Sequence, residues 1–177
     1  MQVIRQSDYR IMPWKNGGGT TTEIYVSPVD SVNFDWRVSI ATVNADGPFS
    51  LFNGYDRHIL TLQGAGMRLD IEAGDSIELG PKEIFSFSGD ERVEGFLSDG
   101  PVKDFNLIVQ RDFGVGTLKI AHCASGCSFG SEHALQLVHI LDGDSYLLEI
   151  GDFMSFYENQ FFVICEIRPR LPHEPGV

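Results

Sequence analysis

Sulfur is scarce in this chain. Its 177 residues hold three cysteines, Cys123, Cys127 and Cys165. The count is odd and the spacing matches no disulfide framework, so a stapled secreted scaffold is excluded and reduced thiols are expected. Basic residues are also few, with 13 Lys and Arg against 25 Asp and Glu and a formal charge of −12. That balance argues against a nucleic-acid or anionic-membrane partner, because phosphate surfaces are held by clustered Lys and Arg. It leaves room for a local cationic pocket that takes a small anion. No apolar run approaches the ~20 residues that span a bilayer. Met1–Arg10 carries no apolar leader core, and a cytoplasmic location is expected.

Several chemical signatures are missing as well. There is no G-x-x-x-x-G-K-[ST] phosphate loop and no G-x-S-x-G nucleophile elbow. There is no His-x-His pair, and His58 stands alone between Arg57 and Ile59. The remaining soft-ligand cluster, His122, Cys123, Cys127 and His133, lacks a C-x-x-C pair and falls in a Gly/Ser-rich loop. Neither group completes the three or four positions a transition ion requires, so no metal and no cofactor is expected.

What the chain has is glycine, phenylalanine and alternation. Nineteen glycines and thirteen phenylalanines point to many turns around an aromatic core. Apolar residues recur with period two in short runs: Ile59, Leu60, Leu62; Met67, Leu69, Ile71; Ile77, Leu79; Ile84, Phe85, Phe87. Gly64-Ala65-Gly66, Ala73-Gly74-Asp75 and Gly80-Pro81 separate them. Short strands with turn signals every eight to twelve residues indicate an all-β sandwich or barrel. The best helical segment, Ser131–Ala134, is short. A faint repeat places Leu62–Leu79 over Leu141–Phe156, which suggests two related barrels in tandem.

Met12–Glu23 reads M-P-W-K-N-G-G-G-T-T-T-E. Three successive glycines lose more backbone freedom on folding than a packing element warrants. They suit a loop that turns tightly or approaches something closely. The β-branched residues that follow make a strand, not the helix a phosphate loop needs. Simple alternation places Thr20, Thr22 and Ile24 on one face of that strand and Thr21, Glu23 and Tyr25 on the other. In the next run, Trp36, Val38 and Ile40 share one face while Arg37, Ser39 and Ala41 share the other. Two further polar segments are Asp46-Gly47-Pro48-Phe49-Ser50 through Asp56-Arg57-His58, and Lys103-Asp104-Phe105-Asn106.

Taken together, Pro-Trp-Lys-Asn-Gly-Gly-Gly, Glu23-Ile24, Trp36-Arg37-Val38-Ser39, Asp46–Ser50, Asp56-Arg57 and Asp104-Phe105-Asn106 resemble the HutD/Ves family of bicupins over about residues 5–170. Asn53 departs from a usual proline and bears on turn stiffness. The resemblance implies an all-β bicupin, with two cupin-type jelly-roll β-barrels in one chain. The first would span 1–110 and a smaller second 111–177, with the N-terminal segment able to pair with the second. It implies a link to histidine utilisation or stress response, a small-molecule-binding regulator or sensor, and no established catalysis.

Arg37 and Arg57 offer planar forks for a carboxylate, and Lys15 adds a point charge. Asn16 and Asn106 donate and accept. Glu23, Ser39, Asp56 and Asp104 orient these groups, and Trp14, Trp36 and Phe49 wall the pocket. The expected ligand is a small anionic carboxylate metabolite, with formylated glutamate a candidate through the histidine-pathway link. The competing expectation is a metal-independent isomerase or hydrolase using Glu23, Asp56, Asp104 or His58 as acid or base. A homodimer through edge strands is compatible with the sequence.

Overall fold

Alternating β-branched and aromatic residues form strands here because each run buries one face and, in the central sheet, both. A computed structural model describes residues 1–72 and 74–170. Among the described residues the single helical element is a 3-10 turn at Gln6–Asp8. The segment Ser131–Ala134, the best helical segment of the sequence, is a bend before a strand. Four residues between turn signals are too few to nucleate a helix.

The largest sheet has six antiparallel strands in the order β2 (Arg10–Pro13), β3 (Gly19–Ser27), β4 (Trp36–Val43), β11 (Val102–Gln110), β6 (Tyr55–Gln63), β9 (Ile84–Ser88). A second sheet, β5 (Gly47–Pro48), β10 (Val93–Leu97), β7 (Met67–Ile71), β8 (Ser76–Leu79), closes over its inner face. Between them lie Ile59, Met67, Leu69, Phe87 and Val93, the core of the first cupin-type unit.

The other unit is built on β1 (Gln2–Ile4), β15 (Ser145–Leu148), β14 (Leu135–Ile140), β17 (Gln160–Pro169) and β12 (Gly114–Cys123). It is faced by β13 (Cys127–Gly130) and β16 (Phe153–Phe156). β1 therefore leaves the strands that follow it and pairs antiparallel with β15, with Gln2 opposite Leu147 and Ile4 opposite Ser145. The repeat read from the sequence maps β6–β8 onto β14–β16. The pairing differs: β14 and β15 form a hairpin in one sheet, whereas β6 and β7 lie in different sheets.

The outer face of the six-stranded sheet packs on the five-stranded sheet. Trp36, Val38, Phe105, Leu107, Leu137, Val163 and Ile167 share this buried layer. Each fully buried large apolar side chain there contributes roughly 1.5–3 kcal/mol. The sheet is thus fixed on one face, and its other face is free to carry polar groups inside the first unit.

The turn Cys123–Cys127 closes as a disulfide, with the Cα atoms 5.8 Å apart, and Cys165 is free and buried. This corrects the expectation of three reduced thiols. The turn between β12, which pairs with β17, and β13, which pairs with β16, brings the two cysteines to the usual disulfide span, which a spacing of four residues did not reveal. Among the described residues no helix is long and apolar enough to cross a membrane.

Candidate functional site

Strand register determines which side chains meet. Glu23 pairs with Ser39, Ser39 with Asn106, and Asn106 with Ile59. One row along, Ala41, Asp104 and Thr61 align; on the other side Arg37, Ile108, Arg57 and Phe87 align. Arg37, Ser39, Asp104, Asn106 and Arg57 therefore share the inner face of the first unit. A bulge between Glu23 and Tyr25 shifts the β3 register. Tyr25 leaves Glu23's face and stacks near Trp36, ring centroids 5.0 Å apart. Simple alternation, which kept Glu23 and Tyr25 on one face, fails at that bulge.

The inner face holds unusual charge. Arg57 is 5% exposed, and its guanidinium lies over the rings of Phe87 at 4.8 Å, Phe52 at 5.3 Å and Phe49 at 5.4 Å. It donates to the Ser50 carbonyl at 3.1 Å and to Asn106 Oδ1 at 3.4 Å. Arg37 lies over Phe34 and Phe52, each at 5.2 Å. The Phe52 ring is thus shared by two guanidinium groups, a cation–π arrangement strengthened by exclusion of water. Asn106 Nδ2 donates to Asp104 Oδ1.

Asp104 is fully buried, and burial raises its carboxyl from 3.8 to about 7 against the opposing Asn106 hydrogen bond and Arg57 charge. Burial pulls Arg57 down to about 10, with Asp104 opposing and Arg37 adding to the fall. Burial also lowers Arg37, against the attraction of Glu23. Glu23 itself stands 4.0 Å from Arg10 on the neighbouring strand. Four buried polar atoms of this face have no hydrogen-bond partner among the described residues: Arg37 Nε, Arg57 Nε, Thr61 Oγ1 and Asp104 Oδ2.

An open cleft of about 480 Å³ is lined by Trp14, Lys15, Asn16, Asp46, Phe49 and Ser50 among others, and not by Arg37, Arg57, Asp104 or Asn106 themselves. Phe49 and Ser50 are the link, because they wall the cleft on one side and hold Arg57 on the other. Gly95 permits this, since a Cβ there would fall 2.6 Å from the Phe49 ring. The glycine loop sets the opposite wall. A Cβ at Gly19 would fall 2.3 Å from the Thr42 carbonyl and 3.0 Å from the Trp14 ring. Trp14 is oriented by its indole N–H, which donates to Thr21 Oγ1 at 2.8 Å. Asn16 Oδ1 accepts from the Gly18 N–H at 3.0 Å, so that side chain braces its own loop.

Three expected site residues lie elsewhere. Trp36 points into the layer between the two units. Asp56 alternates with Arg57 and faces outward, where Arg111 Nε donates to it at 2.7 Å and Arg111 also meets Asp90 at 2.6 Å. His58 also turns from the inner face. Its Nδ1 meets Ser86 Oγ at 2.7 Å, and burial lowers its pKa. Among the described residues no three His, Cys, Asp or Glu side chains converge as a metal group. Cys123 and Cys127 are bonded to each other, and His122 Nε2 meets Asn159 Oδ1 at 2.7 Å.

The glycine-rich lip, the paired arginines and the Asp104–Asn106 dyad coincide with a match to the family described as HutD over residues 6–158. This chain belongs to the HutD family. It is 47% identical over 109 residues to an uncharacterised 21.2 kDa protein of the hutC 3′ region from Pseudomonas putida. That match covers 61% of this chain and spans just over half of the relative, 57% of its length. It is 35% identical to protein Ves of Citrobacter koseri, covering 74% of this chain and 70% of that one. Among solved structures, HutD of Pseudomonas fluorescens superimposes with a TM-score of 0.79 at 31% identity, covering 96% and 98% of the two chains. A conserved Pseudomonas aeruginosa protein of unknown function gives 0.80 at 30% identity, covering 95% and 97%. Hazelnut vicilin shares the fold alone, with a TM-score of 0.67 at 9% identity over 94% of this chain and 85% of its own.

In this HutD-family chain five contributors are not among the expected site residues: Phe34, Ser50, Phe52, Thr61 and Phe87. Phe52 and Phe87 read as core aromatics; the place of Phe87 against Arg57 follows from the register of β6 and β9, and that of Phe52 from the loop path between β5 and β6. Ser50 acts through its carbonyl, which every residue possesses. Thr61 could have been found, because a polar residue alternating with Ile59 in an apolar strand is conspicuous once Asp104 is placed opposite.

Proposed function

We propose that this HutD-family bicupin is a small-molecule-binding regulator or sensor whose first unit takes a small carboxylate metabolite. The observation that carries this reading is the imbalance of buried charge. Arg37 and Arg57 share one ring, while the one fully buried acid beside them, Asp104, is raised toward its neutral form. A buried cation without a full complement of partners is costly. An anion entering past Phe49 would supply the missing charge and accept from the free Nε atoms, and Lys15 at the rim would attract it. The chemistry of a carboxylate matches the guanidinium fork. The family's association with histidine utilisation supports acids of that kind as ligands, and the formal charge of −12 disfavours larger polyanions.

The test is thermal unfolding and calorimetric titration against small carboxylates and their neutral amide analogues. At about 100 times the dissociation constant, a ligand stabilises by roughly 2.7 kcal/mol. The acids raise the melting temperature, the amides do not, and Arg57→Met abolishes the response. If no acid gives a shift at millimolar concentration, the reading is wrong.

A second reading rests on Asp104 alone. A buried carboxyl near 7 with one free oxygen is suited to proton transfer. On that reading the chain is a metal-independent isomerase or hydrolase, and Asp104→Asn removes turnover while binding persists. Turnover that survives this substitution would dismiss it.

A further inference from the structure

Between the two units lies a separate cleft of about 240 Å³. Its first wall is the outer face of the six-stranded sheet. There Thr42, Lys103 and Gln63 are direct cross-strand neighbours, with Ile40 and Leu62 beside them. Its second wall comes from the other unit and the segment before β2: Tyr9, His139, Leu141 and Asp142.

His139 is 2% exposed, and Ser145 is fully buried. Tyr9 OH lies 2.8 Å from Ser145 Oγ, which in turn lies 2.9 Å from His139 Nδ1. The ring is wedged against Phe105 at 5.4 Å and Tyr9 at 6.5 Å. One ring nitrogen is therefore committed to the hydroxyl chain. The other, Nε2, has no partner among the described residues, on a side chain that lines the cleft. Burial lowers the His139 pKa to about 4, so the imidazole is neutral at ordinary pH and Nε2 is a hydrogen-bonding group, not a charge. Lys103 and Asp142, on opposite walls, form no ion pair with each other or with any other described residue.

We propose that this cleft is a second ligand site, for a small zwitterionic amino acid. The ligand carboxylate meets the Lys103 ammonium, and its ammonium meets the Asp142 carboxylate. His139 Nε2 reads the polar end between them, while Ile40, Leu62 and Leu141 take the aliphatic part. A buried imidazole held in one orientation by a hydroxyl chain loses little freedom when it binds. The site shares no side chain with the Arg37–Arg57 cluster, so it stands or falls separately from the carboxylate reading.

The experiment titrates the intact protein with L-leucine and L-glutamine, followed by calorimetry and by the imidazole nitrogen resonances of His139. Their N-acetyl and carboxamide derivatives each lack one charge. At least one free amino acid saturates at millimolar concentration and moves the His139 signals. Removing either charge weakens binding about tenfold or more, as does Lys103→Ala. Arg57→Met leaves this binding intact, which separates it from the first unit. His139→Gln keeps an amide in the cleft and guards against a folding defect. The proposal is overturned if neither amino acid saturates, if the capped derivatives bind as well as the free ones, or if Arg57→Met rather than Lys103→Ala abolishes binding.

Discussion

Replacing Asp104 by Asn isolates the cost of keeping a carboxyl inside the first unit. The substitution preserves shape and the acceptor Oδ1, to which Asn106 Nδ2 donates. In the folded chain the carboxyl titrates near 7 instead of 3.8, because burial penalises its charged form. A carboxyl raised on folding binds its proton more tightly in the native state than in the unfolded one. Its contribution is therefore fully present below about pH 4 and is lost as pH rises toward 7. At about 1.4 kcal/mol per pH unit, the interval from 3.8 to about 7 corresponds to roughly 4 kcal/mol. Between about pH 5 and about pH 8 the wild-type chain should lose about 2–3 kcal/mol through this group, relative to Asp104→Asn. Urea unfolding of both proteins across that range, without added carboxylate, measures the difference. Taking the difference cancels the exposed acids Asp70, Asp90 and Asp152, whose lowered pKa values act in the opposite direction. Parallel stability curves for the two proteins would show that Asp104 is not raised, and the charge imbalance argued above would fall with it.

Other substitutions probe the remaining walls. Gly19→Ala forces a Cβ against the Thr42 carbonyl and the Trp14 ring, and thermal unfolding should show a loss of about 2 kcal/mol or more. Asp56→Ala frees Arg111 on the outer face and should cost about 1 kcal/mol in urea unfolding, while calorimetry finds the carboxylate response unchanged. Cys127→Ser opens the short Cys123–Cys127 loop. By chain entropy this costs about 2 kcal/mol, which oxidised and reduced wild-type melting curves should reproduce.

Much of the site was legible because strands alternate. Arg37 and Ser39 were assigned to one face, and Asp104 and Asn106 fall two residues apart, so both pairs arrive together without knowledge of the fold. Alternation says which residues share a face but not which face is inner. Trp36 was therefore credited to the pocket when it fills the layer between the two units. It also fails wherever a strand gains a residue, as at the bulge that separates Tyr25 from Glu23. Asp56 and Arg57 are adjacent in sequence, which reads as one site, yet neighbours on a strand must face opposite ways. The all-β class and the bicupin fold followed from turn spacing together with the family resemblance. The sharing of Phe52 by two arginines did not, because it depends on the loop path between β5 and β6.

The pairing of β1 with β15 carries a consequence for biosynthesis. Gln2–Ile4 are made long before their hydrogen-bonding partners Ser145–Leu147. The sheet that closes the second unit thus depends on a contact spanning most of the polypeptide, the kind that slows folding through the entropy of loop closure. β1 waits, without its partner strand, until β15 has been made. When the two dock, an early strand and a late one are joined in one sheet, so the later unit cannot finish without the earlier segment.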